Sequence, residues 1–362
     1  MIRVLHMVGT MDLGGQETFI MNIFNNIDRT KYQFDFVVQS NNIGYYEETI
    51  NDMGGKIYRI TNFSRNPIKH IIELRRILKN NHYDVFHRHA NSSIIFIDLL
   101  VAKLSKVKTR IAHCHSTHSN HNNIIHYIFR AFVNKTSNVR LACSKEAGLF
   151  MFGNATFNVI NNGINIEQFL FNPKIRKKIR NELNIPENSF VIGHVGRFAP
   201  EKNHEFIIDL FKKIQDKKIN NPILMLIGDG QNIEKIKNQV FSKSLEKKVL
   251  FLGNKNNVCD YLQAMDIFVF PSLYEGLGIS LIEAQASGLK CIVSDRIPDE
   301  AIVTENVTKK GLNSVDDWAN LIMKFHDNDY DRKIFSRNDK LYSYDIINTT
   351  REICKIYKRG SD

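Results

Sequence analysis

Strand-like runs rich in Val, Ile and Phe alternate with helix-period segments along most of this chain, and the alternation occurs twice. Strands that follow one another through helices are parallel, because a parallel pair needs a long crossover where an antiparallel pair needs only a turn. The first half reads as strands at Ile2–Val8, Gln33–Val38, Lys56–Ile60, Val85–His89, Thr109–His115 and Val139–Cys143. Helices fit between them at Glu17–Asn26, Gly44–Met53, Pro67–Asn80, Ser93–Leu104 and His121–Asn134. A turn-rich stretch from Asn158 to Asn165 breaks the pattern and reads as a hinge. The second half restarts with strands at Phe190–Val195, Ile223–Ile227, Val249–Leu252, Ile267–Pro271 and Lys290–Ser294, with a helix at His204–Lys217.

The expected fold class is therefore α/β, with two Rossmann-like domains facing a central cleft. Their expected bounds are 1–165 and 166–341, followed by a helical tail, 342–362, that straps back across the hinge. A length of 362 residues is ample for two buried cores. Five scattered cysteines form no framework or zinc-ribbon spacing and read as buried thiols of a reducing compartment. The most apolar stretch, Ile94–Leu104, is too short to span a bilayer and carries Asp98 and Lys103. Met1 leads straight into a strand rather than a secretory signal, so a cytoplasmic protein is expected.

The net charge of +11 is uneven: residues 1–165 carry 19 basic and 11 acidic side chains. No nucleic-acid motif accompanies this excess, which leaves a phosphorylated ligand or an anionic membrane surface as its partner. For the membrane, the segment His121–Lys135 mixes Ile124, Ile125, Tyr127, Ile128, Phe129, Phe132 and Val133 with Arg130 and Lys135. Such a helix either lies in the interface plane or packs its apolar face on the sheet.

Three glycine-bearing loops carry the chemistry. Tyr274-Glu275-Gly276-Leu277-Gly278-Ile279 follows a strand and opens a short helix ending before Gly288. It offers the N–H groups of Leu277, Gly278 and Ile279 to an anion, with Glu275 at the mouth and Glu283 one turn inside. Two carboxylates beside an anion site suit a ligand whose hydroxyls donate to them, such as a sugar or ribose next to phosphate. The loop Gly196–Asn203 sends Arg197 and Lys202 from a strand end toward a diphosphate; pairing of Arg197 with Glu201 is the plainer alternative. After the first strand, Gly14-Gly15 permits close backbone approach, but its spacing is not the dinucleotide fingerprint.

Ten of the thirteen histidines precede residue 127, including His87-Arg88-His89 and His113-Cys114-His115. No Asp, Glu or Cys lies at usual ligand spacing, so a histidine at a strand end that bonds substrate is preferred over a metal site. Asp327-Asn328-Asp329 matches a metal-binding Asp-x-Asp in form, yet reads as a surface turn.

Taken together, Gly14-Gly15, His113 to Ser116, Asn162-Gly163-Ile164, Gly196-Arg197 with Lys202-Asn203, and Glu275 with Glu283 resemble the retaining glycosyltransferases of family 4, which have the GT-B fold. The resemblance runs nearly end to end. It implies a metal-independent, cofactor-free enzyme whose donor is a nucleotide diphosphate sugar bound mainly by the C-terminal domain. By the same resemblance, Arg197 and Lys202 hold the diphosphate and Glu283 the ribose. Glu275, Gly276 and the N–H groups of Leu277, Gly278 and Ile279 hold the sugar. Gly15 approaches the phosphate, Gly228 and Gly230 border the base, and His115 is the cleft histidine. The expected reaction moves a hexose or N-acetylhexosamine from a UDP-sugar to a lipid-linked capsular or exopolysaccharide glycan. An inactive nucleotide-sugar-binding partner and a sugar-nucleotide epimerase of the same fold are the alternatives.

Overall fold

The computed structural model describes residues 1–116, 123–217, 219, 221–327, 332 and 339–359. It divides into two units, one of residues 1–164 with 344–362 and one of residues 165–343.

The first unit holds a seven-stranded parallel sheet. In chain order its strands are β1 (Ile2–Met7), β2 (Tyr32–Val38), β3 (Ile57–Arg59), β4 (Val85–His89), β5 (Thr109–Cys114), β6 (Val139–Ala142) and β7 (Asn158–Val159). Their spatial order is β3-β2-β1-β4-β5-β6-β7. The order reverses between β1 and β4, so the loops after those two strands open a crevice at their carboxyl ends. Val4, Phe34, Phe36, Val85 and Ile111 face one side, under the helix Gly15–Asn26 and the C-terminal helix Ile346–Arg359. Leu5, Met7, Phe86 and Ala112 face the other, under the helices Pro67–Asn81, Phe96–Leu104 and Asn123–Thr136. Strand period two accounts for this division. On the second side the buried Asp98 carboxylate accepts from Arg88 Nε at 2.7 Å and stands 2.7 Å from His70 Nε2.

The second unit repeats the plan with six parallel strands. These are β8 (Val191–Val195), β9 (Ile223–Ile227), β10 (Val249–Phe251), β11 (Ile267–Phe270), β12 (Lys290–Ser294) and β13 (Val307–Lys310), ordered β10-β9-β8-β11-β12-β13. Here the order reverses between β8 and β11. Trp318 is fully buried in its core and donates from Nε1 to the Gly311 carbonyl at 2.8 Å.

Several differences from the sequence reading have local causes. The turn expected over Asn158–Asn165 contains the two-residue edge strand β7, too short and too exposed to show in the hydrophobic pattern. The helix Pro173–Glu182 is not evident in the sequence because it is short and has few apolar residues among many Lys and Arg; Asn172 caps it and Pro173 starts it. The tail helix begins at Ile346 and belongs to the first unit, where Ile346, Ile353 and Tyr357 join the core. The helix expected from His121 is described from Asn123 to Thr136, and residues 121 and 122 lie outside the described ones. No described helix is long and apolar enough to cross a membrane.

Candidate functional site

In the second unit, two loops leave the carboxyl ends of the neighbouring strands β8 and β11, at the reversal of strand order, and are tied together. Leu273 N–H donates to the Glu201 carbonyl at 2.8 Å, and the Asn203 side-chain amide donates to the Pro271 carbonyl at 3.2 Å. Asn203 adopts a left-handed conformation (φ 56°) as it passes the chain into the helix His204–Gln215. Lys202 Nζ stands 2.5 Å from Glu275 Oε1 and 5.0 Å from the centre of the Phe270 ring. Its side chain is 15% exposed and that of Glu275 10%, so this pair is part-buried and less screened than a surface one.

Beside the pair starts the helix Ile279–Ala286, capped by no side chain. Gly278 precedes it at φ 81°, where an added Cβ would also come within 3.1 Å of the Phe270 ring. The residue is glycine for both reasons. First-turn N–H groups and the helix dipole thus follow shortly after Glu275, the residue that holds the Lys202 ammonium. Within the helix, burial pushes the Glu283 carboxyl up to about 7, and no side-chain partner for it exists among the described residues. Glu283 is half-buried by accessible surface, and a desolvated carboxylate without a donor suits a ligand's hydroxyls or a proton.

Gly228 and Gly230 act on the same site from below. An added Cβ at Gly228 would fall 2.1 Å from the Gly196 carbonyl oxygen, and one at Gly230 would fall 2.6 Å from that of Phe198. Phe198 N–H donates to the Asp229 carbonyl, and Asn232 N–H to that of Phe198. These glycines therefore let the loop after β9 press against the Arg197 loop.

The site residues read from the sequence are not all gathered by the fold. Arg197 does not converge with Lys202: its side chain is 72% exposed and its guanidinium meets Glu201 Oε1 at 3.0 Å, the plainer of the two readings. An i, i+4 partner on the same short loop reaches it first. Gly15, the first residue of the helix Gly15–Asn26, lies in the first unit; that helix start also has no side-chain cap. His115 lies in the first unit too, and its ring is turned into the sheet rather than outward, with Nε2 2.9 Å from His89 Nδ1 and Nδ1 buried. Of Asp327-Asn328-Asp329, only Asp327 is among the described residues, and it is exposed.

What sequence reasoning missed is that the two His-x-His pairs belong to adjacent strands. His89 is paired in register with His113 and His6 with His87, so five rings share one face of the first sheet. His194 and His204, in contact in the second unit, were also passed over; burial pushes His204 down to about 4.

The N-terminal residues 13–168 match the family model Glycosyltransferase Family 4, and residues 175–342 match Glycosyl transferases group 1. The putative glycosyltransferase EpsF of Bacillus subtilis (strain 168) is 33% identical over 82% of this chain and 80% of its own length. The chain belongs to the group 1, family 4 glycosyltransferases.

Among other family members, the capsular polysaccharide biosynthesis glycosyltransferase CapH of Staphylococcus aureus is 28% identical over 99% of both chains. The UDP-Gal:alpha-D-GlcNAc-diphosphoundecaprenol alpha-1,3-galactosyltransferase of Escherichia coli is 29% identical over 80% of this chain and 78% of its own. The fold matches Anabaena HepE, solved with UDP and glucose, with a TM-score of 0.80 at 18% identity over 99% of this chain and all of that one. It also matches the glycosyltransferase WaaG at 0.74 and 15% identity, over 98% and 99%. The family 4 chain thus has the GT-B fold, two parallel-sheet α/β domains.

Proposed function

We propose that this glycosyltransferase moves a hexose or N-acetylhexosamine from a UDP-sugar, with retention and without a metal, to a lipid-linked glycan of bacterial polysaccharide synthesis. The observation that carries the reading is the part-buried Lys202–Glu275 pair beside the uncapped helix start at Gly278. As the bond from the anomeric carbon to the diphosphate breaks, negative charge grows on the leaving group. Lys202 and the N–H groups of the helix start are the donors suited to receive it. Glu283, further along that helix, has the chemistry to accept from ribose hydroxyls. Arg197 reaches the diphosphate only if it leaves Glu201, an exposed pair of the kind worth about 0.2–1 kcal/mol. The names of the Escherichia coli and Anabaena proteins support a uridine donor, and the first of them a diphosphoundecaprenol acceptor.

A panel of nucleotide sugars offered with lipid-linked acceptors tests the proposal, with transfer of product to the lipid phase as the readout. Transfer from a UDP-hexose or UDP-N-acetylhexosamine is expected, and it should persist in excess EDTA. Use of other nucleotide sugars alone would overturn the donor. Loss of activity with EDTA, restored by a divalent ion, would overturn the metal-free step.

Reaching a lipid-linked acceptor requires a membrane contact, and the helix Asn123–Thr136 offers one. Ile124, Ile125, Tyr127, Ile128 and Phe132 are exposed on it while Val133 is in the core, so its apolar residues divide between sheet and solvent. Leu100 and Leu104 of the adjoining helix Phe96–Leu104 are exposed as well. Arg130 stands over the Tyr127 ring at 5.2 Å, and Lys135 is exposed. Each cation near an anionic surface adds about 1 kcal/mol. Co-sedimentation with anionic vesicles is expected to fall with salt, and to fall at least tenfold in an Ile124→Ser, Ile128→Ser, Arg130→Glu variant. Equal binding by that variant would remove the helix from the contact.

A further inference from the structure

Five imidazoles lie on one face of the first sheet: His6 on β1, His87 and His89 on β4, His113 on β5 and His115 just after it. All but His115 are at most 1% exposed. Neighbouring rings lie in contact, His87 and His89 stacked with centroids 4.0 Å apart and His113 and His115 tilted at 4.1 Å. Two separate hydrogen-bonded chains run through them. In one, His6 Nδ1 meets His89 Nε2 at 3.0 Å and His89 Nδ1 meets His115 Nε2 at 2.9 Å. In the other, the Tyr357 hydroxyl meets His87 Nδ1 at 2.8 Å, and His87 Nε2 meets His113 Nδ1 at 3.2 Å.

Such an arrangement is costly in a core. The terminal atoms His6 Nε2, His113 Nε2 and His115 Nδ1 are buried with no partner among the described residues, so each loses its hydration without a hydrogen bond in return. Packing alone would be served better by Val or Leu. A metal site is one explanation, since His6, His87 and His89, and again His89, His113 and His115, have ligand atoms within 4.8 Å of one another. Against it, two nitrogens on a tetrahedral zinc would stand about 3.3 Å apart, wider than these bonded pairs. Neither triad contains a carboxylate to offset a doubly charged ion in the core.

The hydrogen bonds themselves impose a rule. A neutral imidazole has one N–H and one lone pair, and burial keeps His6 and His115 neutral by pushing both down to about 3. Each link of the first chain joins an Nδ1 to an Nε2. If His115 donates from Nε2, then His89 must donate from Nε2 to His6, and His6 carries its proton on Nε2. If His6 donates from Nδ1, the sense reverses in all three. A ring that broke the pattern would set two N–H groups or two lone pairs against each other at about 3 Å.

We propose that His6, His89 and His115 form one imidazole wire whose three rings share a single tautomer, so that His6, through His89, fixes whether His115 Nδ1 is a donor or an acceptor. His6 and His89 are then positioning residues. The bearing of this on transfer rests on the reading of His115 as the cleft histidine that bonds substrate, whereas the wire itself does not. For a ligand hydroxyl, a fixed sense at Nδ1 selects one of its two hydrogen-bonding roles.

Ring nitrogen shifts of protein labelled with 15N-histidine read tautomers directly. At pH 7 the expected result is one neutral tautomer, the same in His6, His89 and His115. In His6→Leu and in His6→Asn, whose amide can serve either sense, His115 should become a mixture while His87 and His113 keep theirs. Differing tautomers in the wild-type rings would overturn the wire without any variant. So would an unchanged His115 in a folded His6 variant, or stoichiometric zinc in the purified protein. In parallel, His6→Leu is expected to lower kcat several-fold at unchanged donor KM. Full transfer by His115→Ala would overturn the role of His115 as the cleft histidine while leaving the wild-type tautomer pattern intact, so the two failures are separable.

Discussion

Replacing Lys202 with Ala is expected to lower kcat for transfer by 10²-fold or more at saturating donor, a loss of at least about 2.7 kcal/mol of transition-state stabilisation. The magnitude follows from where the ammonium is held. At 15% exposure, with Glu275 on one side and the Phe270 ring on the other, it acts through a medium that screens it little. Arg197 at 72% exposure is worth less, and Arg197→Ala is expected to cost no more than about tenfold. Lys202→Arg should not rescue, because a planar, delocalised guanidinium does not present the compact point charge of an ammonium. Removing Lys202 also strands the Glu275 carboxylate, which can destabilise the fold by itself. The double variant Lys202→Met, Glu275→Gln keeps the shape without either charge and should fold as the wild type while staying inactive. Turnover within tenfold of wild type in Lys202→Ala, at unchanged thermal unfolding, would remove the ammonium from the reaction.

The contrast between these two cations marks where sequence reading stops. Both leave one strand on one loop, and nothing in their order tells which turns inward. That is decided by Glu201, four residues from Arg197, and by Leu273 and Pro271, which draw the Lys202 end of the loop onto the neighbouring strand's loop. Strand period and helix starts were legible because they are local: β4, β9 and β12 lie where the apolar runs end, and Gly278 announces the helix that follows it. The histidine cluster was not legible, because it depends on which strands are neighbours. His-x-His puts two rings on one face of one strand. Only the order β1-β4-β5 sets the three strands side by side, and that order is a property of the sheet. Glu283 is intermediate. Its position in the helix was evident from spacing, whereas the burial that changes its protonation comes from side chains packed around it in space.

That burial makes Glu283 the source of a pH dependence with a definite sign. Its carboxyl titrates near 7 in the folded chain against an ordinary value of 4.5. Below pH 4.5 both folded and unfolded chains hold the proton, and the group contributes nothing. Between 4.5 and 7 the unfolded chain releases it first, so stability falls as pH rises, and above 7 the loss levels off. Glu283→Gln should therefore raise the midpoint of urea unfolding at pH 8 and leave it nearly unchanged at pH 4. Nucleotide binding should show the opposite dependence. Ribose hydroxyls donate best to the ionised carboxylate, so binding of the free nucleoside diphosphate expels a proton, and its affinity should rise roughly 30-fold between pH 5.5 and 8 if only the ionised form binds. Titration calorimetry in buffers of different ionisation enthalpy measures that proton directly. In Glu283→Gln the affinity should be weaker at pH 8 and flat with pH, so that a more stable protein binds its ligand less well. Glu275→Ala, by contrast, should keep nucleotide affinity and lose turnover, because its carboxylate sits with Lys202 at the mouth of the turn. A wild-type affinity that does not change with pH would show that the Glu283 carboxylate does not meet the nucleotide, and would leave it as a cost to stability without a ligand to offset it.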